Sequence, residues 1–147
     1  FLLASSLARS LSASFWGWAA DTSSRRVMIR GAAMASGVCL IVGFTALFIG
    51  TEIGSVWFYP IAFFVLSIAH AGVRLGRKTY LVDMAGGNKR TDYTAVSNTV
   101  IGVLLLVTGG LTALVSMISE VAVIIVLGLM GLAGMFSAMG LKEVTED

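Results

Sequence analysis

The sequence predicts an all-α fold, an integral membrane bundle of five transmembrane helices, on three observations. Apolar residues make up 57% of the 147 residues and charged residues 12%, and the mean hydropathy of +0.93 lies far above that of a water-soluble domain. Apolar runs of roughly 20 residues recur along the chain, each long enough to cross about 30 Å of hydrocarbon. The polar links between them alternate in charge, the pattern that orients membrane helices.

The spans are expected at Phe1 to Ala20, Val27 to Gly50, Val56 to Leu81, Tyr93 to Met117 and Val121 to Leu141. The first is interrupted by serines and by Arg9, so it is a poor insertion signal by itself and needs protein neighbours. It reads on directly into the polar link without a basic stretch ahead of its apolar run, so it is expected to be a span rather than a signal peptide. The second and fifth are poorest in polar residues. In the fifth, Gly128, Gly131, Gly134 and Ala138 follow each other closely, and the Gly134 to Ala138 spacing suits tight helix packing. Pro60 falls in the first turn of the third span, where a missing N–H costs nothing. The fourth opens on Thr91 and Asp92 as capping residues, carries a small and polar stripe of Thr94, Asn98, Gly102, Leu105, Gly109 and Thr112, and can bend at Gly109-Gly110.

Arg25, Arg26, Arg30, Lys89 and Arg90 belong to one set of links, with Arg74, Arg77 and Lys78 on the turns leading into it. The opposite links hold only Glu52 and Glu120. The basic links are therefore expected to face the cytoplasm, together with the tail from Lys142 to Asp147. A net charge of +2 is too small to indicate nucleic acid, and the lone Cys39 offers neither a disulfide framework nor a metal site.

Three residues stand out inside the spans. Ser5, Arg9, Ser12 and Trp16 share a helical face. Arg9 lies about 14 Å from Trp18, near the midplane if that tryptophan marks the interface. A cation there costs at least about 2.5 kcal/mol, so it faces protein or water as a substrate or ion contact, or it snorkels or ties helices together through carbonyls. His70, on one face with Ser67, Arg74 and Arg77, is either a proton-coupling group or an interhelical hydrogen-bonding one. Asn98, several residues into its span, needs a partner; a cavity wall and a tight seam both account for its stripe.

The link between the first two spans reads Gly17-Trp18-Ala19-Ala20-Asp21-Thr22-Ser23-Ser24-Arg25-Arg26. Physically, Gly17 admits a close helix, Asp21 can cap the next helix, and Arg25 and Arg26 meet anionic lipid heads, as in any positive-inside turn. The pattern G-x-x-A-D-x-x-S-R-R also resembles the signature loop of the major facilitator superfamily of transporters, G-x-L-A-D-R-x-G-R-R. Gly17, Ala20, Asp21, Arg25 and Arg26 fit; Ala19, Thr22 and Ser24 depart. Degenerate copies belong to the second half of that family, so the resemblance implies helices eight to twelve of a twelve-helix transporter, with helices two to six as the other placement. It further implies a fragment lacking the first half, an inner or plasma membrane location, and central helices (eight, ten, eleven) that line the cavity while nine and twelve lie outside. It also implies a charge network steadying one transport state, drawing on Gly17, Asp21, Arg25 and Arg26 with Arg74 or Arg77 as partner.

The functional expectation is a piece of a secondary active transporter that moves a small solute by alternating access. The partners are the lipid bilayer, a solute that is anionic if Arg9 contacts it, and the missing half; no cofactor is expected. No G-x-x-x-x-G-K-[ST] loop is present to support ATP drive. An enzyme is disfavoured because the carboxylates sit in links, helix ends and the tail rather than converging within the membrane. A structural or assembly subunit explains the small-residue seams but leaves Arg9 and the signature-like loop without a role.

Overall fold

The computed structural model describes residues 2–50, 57–85 and 89–144. These form five α-helices: α1 Leu2–Thr22, α2 Ser24–Phe48, α3 Phe58–Met84, α4 Arg90–Ser116 and α5 Glu120–Met139. Glu52, Asn88, Thr145, Glu146, Asp147, Phe1 and the side chain of Ser5 lie outside the described residues. Four helices, α2 to α5, are long and apolar enough to cross a membrane. α1 has the length, at 21 residues, but its serines and Arg9 keep it out of that set, so the expectation of five spans holds for four helices by length and composition.

The α1–α2 link is much shorter than the sequence indicates. α1 continues through Asp21, and Ser23 alone breaks the helix, in an extended conformation (φ −166°, ψ 105°) with its Oγ accepting from the Arg26 N–H at 3.2 Å. Asp21 therefore does not cap α2: it sits two residues too early, on the last turn of α1, while Ser23 satisfies a donor the helix start leaves open. α2 ends at Phe48 with Ile49 as its C-cap, and the chain turns off at Gly50, whose φ of +102° is available to glycine at little cost. α4 starts at Arg90 after Lys89, with no side-chain cap, so Thr91 and Asp92 lie inside its first turn and Asp92 complements the helix dipole from there. It continues unbroken through Gly109-Gly110.

α2 is the central helix, packed along α3 on one side and α5 on the other; α1 lies mainly on α3, and α4 touches only the edges of α5 and α3. The seams are built on absent side chains. A Cβ at Gly76 would stand 2.9 Å from the Ser24 carbonyl oxygen, and one at Gly31 would stand 3.0 Å from that of Ala69, so α2 and α3 approach backbone to backbone. On the α2–α5 side, Gly43 faces Ile125, Gly128 faces Leu40 and Cys39, and Gly131 faces Ser36. Gly134 and Gly17 meet nothing within 4 Å, so neither serves the close approach expected of it. Two small apolar clusters complete the packing: Trp16, Ala20 and Val27 between α1, α2 and α3, and Met28, Tyr80 and Ala138 at the end where α2 begins and α5 stops.

None of the described residues of α4 is buried. Its stripe therefore makes neither a seam nor a cavity wall within this chain, and Gly102, Gly109 and Gly110 have open space where a side chain would be. The Thr94 and Thr112 hydroxyls donate back to their own helix, to the carbonyls of Arg90 and Thr108, which is how such groups avoid going unmet in an apolar setting.

Candidate functional site: a basic cleft between α1 and α3

Trp16 fixes how α1 lies on α3. Its ring covers Gly72, where a Cβ would come within 2.6 Å of the indole, and its Nε1–H donates to the Ile68 carbonyl at 3.0 Å. Only a glycine allows an indole so close to a helix axis, and the hydrogen bond sets the rotation and level of α1. Trp16 is 3% exposed, and Ser12, one turn earlier on the same face, is also buried.

One further turn back, that face opens. Arg9 projects into a cleft of about 220 Å³ that it lines with His70, Ala71, Arg74, Leu75 and Lys78 of α3. Arg9 and His70, expected separately as solute or ion contacts, are thus brought to one place, and Arg74 and Arg9 are the charged neighbours of the imidazole. Asn98 is not part of the cleft; it is exposed on α4 and has no hydrogen-bond partner among the described residues. Arg74, expected at the membrane interface or paired with Asp21, lines the cleft, and so does Lys78. Their membership was partly visible beforehand, since His70, Arg74 and Lys78 recur every four residues and so share one stripe.

A second constellation lies at the end of the bundle where α2 begins. The Arg25 guanidinium donates to the last carbonyls of α5, from Nε to Ala138 at 3.4 Å and from Nη2 to Met139. A cation here meets both the unsatisfied carbonyls and the negative end of the helix dipole. The Ser23 hydroxyl donates to Glu143 Oε2 at 2.8 Å, and Tyr80 donates its hydroxyl to the Lys142 carbonyl at 3.1 Å. Val144 packs on the Met28, Tyr80, Ala138 cluster. The signature-like link is thereby tied to the segment that follows α5. Arg26 and Asp21 point outward, and among the described residues Asp21 makes no ion pair with Arg74 or Arg77. Sequence reasoning missed Ser23, Tyr80 and Glu143; the available signals were a serine at a helix boundary, a phenol near a helix end and a carboxylate directly after a span.

No family model, curated protein or solved structure matches this chain.

Proposed function

We propose that this chain is part of a secondary active transporter resembling the major facilitator superfamily, and that the α1–α3 cleft contributes to its solute path. The observation that carries the reading is the meeting of Arg9 and His70, from two helices, in a charged cleft between α1 and α3, the second of which is long and apolar enough to cross a membrane. Charged side chains held among apolar helices are costly to keep and mark substrate or ion pathways. The pattern Gly17 to Arg26 supports the same reading. In this scheme a second bundle, the other half of the transporter, closes the cleft, and rocking of the two halves exposes it to each side in turn. Asp21 is then free in the state described and engages Arg77 or Arg74 in the alternate one.

The decisive experiment is solute uptake by the complete transporter. Arg9→Ala should reduce uptake at least a hundredfold with membrane insertion intact, and Arg9→Lys should recover only part of it, because an ammonium does not reproduce a planar two-point fork. Uptake at the wild-type rate in Arg9→Ala would remove the proposal.

The orientation proposed is basic links and C-terminus in the cytoplasm. In a Cys39→Ala background, single cysteines at Arg26 and Ile118, both exposed, should react with impermeant thiol reagents from opposite faces, Arg26 from the cytoplasm. Three crossings separate them, so labelling from one face contradicts the arrangement. A second reading, a structural subunit of a membrane complex, is favoured by the uncovered α4; it predicts that Arg9→Ala leaves transport untouched while removal of α4 contacts dissociates a complex.

A further inference from the structure

We propose that the α1–α3 cleft is a site for a phosphate-bearing anion carrying at least two negative charges, an inference that names the ligand class of the cleft read above as the solute path. Four side chains that carry or can acquire positive charge line it, Arg9, His70, Arg74 and Lys78, and among the described residues no carboxylate does. Among the described residues none of the four has a hydrogen-bond or ion-pair partner. Arg74 and Lys78 are four residues apart on one helix, a spacing at which like charges repel, and Trp16 holds α1 so that Arg9 is added to the same space. All four are exposed on this chain; once lipid or a second bundle covers the cleft, uncompensated cations there are expensive, and a bound anion relieves that cost.

The geometry selects among anions. His70, Arg74 and Lys78 rise along α3 in steps of about 6 Å, so the stripe extends over roughly 12 Å. A single carboxylate spans one step of it and neutralises one of three permanent charges. Two guanidinium forks contributed by different helices match phosphate oxygens, which accept paired hydrogen bonds in several directions at once, and Lys78 supplies a further point charge at the end of the stripe. Ala71 and Leu75 give the floor an apolar patch for a small carbon skeleton. The same phosphate chemistry is offered by a soluble phosphate compound and by the head of an anionic lipid.

The test uses the purified chain in nanodiscs of phosphatidylcholine, with inorganic pyrophosphate as the soluble probe, acetate as the monoanion control, and matched nanodiscs containing phosphatidic acid. Saturable pyrophosphate binding is expected by calorimetry, with no saturable acetate binding. Arg9→Gln and Arg74→Gln should each weaken it at least tenfold, and Lys78→Gln less. Arg74→Lys, which keeps the charge and the helix, should retain an intermediate affinity and guards against a folding defect. If phosphatidic acid competes with pyrophosphate and depends on Arg74, the phosphate site stands with a lipid as its occupant and the solute-path reading loses its site; absence of competition assigns the site to a soluble anion. The absence of saturable binding to either probe, or binding indifferent to Arg9→Gln and Arg74→Gln, overturns the proposal. Loss of binding in Arg9→Gln alongside normal uptake in Arg9→Ala would leave the site standing and the transporter reading fallen.

Discussion

Gly76→Leu should separate α3 from α2 and lower the unfolding midpoint of the purified protein by about 5 °C or more, while Gly134→Leu should leave it within about 1 °C. The contrast follows from what each new side chain meets. At Gly76 a Cβ would stand 2.9 Å from Met28 Cγ, 2.9 Å from the Ser24 oxygen and 3.1 Å from the Met28 nitrogen. Met28 can turn away, but the two backbone atoms cannot move without displacing α2. At Gly134 nothing lies within 4 Å. Overpacking of this kind costs about 1–3 kcal/mol, and membrane helices feel it keenly, because close contact between backbones replaces the hydrophobic drive that lipid does not supply. Gly31→Leu, which presses on Ala69 and Val73 from the opposite side of the seam, should behave like Gly76→Leu. Equal midpoints for Gly76→Leu and Gly134→Leu would show that α2 and α3 are not held by this contact.

Much of the architecture was legible because hydrophobic run length is a local property. The helices lie within a few residues of the apolar runs, and the one weak run, with Arg9 and its serines, is the one helix that falls outside the membrane-length apolar set. What failed concerned single residues whose role depends on geometry at helix ends. Asp21 and Ser23 are both good capping types, and only the backbone conformation at Ser23 decides between them. Likewise Gly134 and Gly131 are indistinguishable in sequence, yet one faces Ser36 and the other open space. Small residues permit a seam without specifying it.

The candidate site shows the same division. Arg9 and His70 announce themselves as polar groups within apolar runs, so each was found alone. That they share a cleft with Arg74 and Lys78 depends on the level at which α1 lies on α3, and that level is set by Trp16 over Gly72, a contact between residues 56 positions apart in the chain. No periodicity within one helix carries that information. Asn98 illustrates the converse: its polarity was equally visible, but α4 stands at the edge of the bundle and leaves it unpartnered among the described residues.

Arg25→Ala should loosen the end of α5, seen as backbone amides of residues 138–143 exchanging with deuterium at least tenfold faster, while amides in the middle of α5 are unchanged. The substitution removes a cation that donates to the Ala138 and Met139 carbonyls, and hydrogen bonds to a charged donor contribute about 1.5–3 kcal/mol when sheltered, less for a half-exposed side chain such as this one. A factor of ten corresponds to about 1.4 kcal/mol of local opening. Glu143→Gln should have a smaller effect, since an amide oxygen still accepts from the Ser23 hydroxyl that now donates to Glu143 at 2.8 Å, and Tyr80→Phe should release the Lys142 carbonyl alone. Combining Arg25→Ala with Glu143→Ala distinguishes a linked clamp from independent contacts: a combined effect that departs from the sum of the single ones shows that the α1–α2 link and the segment after α5 open as one unit. Such a unit would carry any movement of the signature-like link directly to the end of α5. Unchanged exchange in Arg25→Ala would instead return this arginine to the role first read from the sequence, a charge that faces lipid heads.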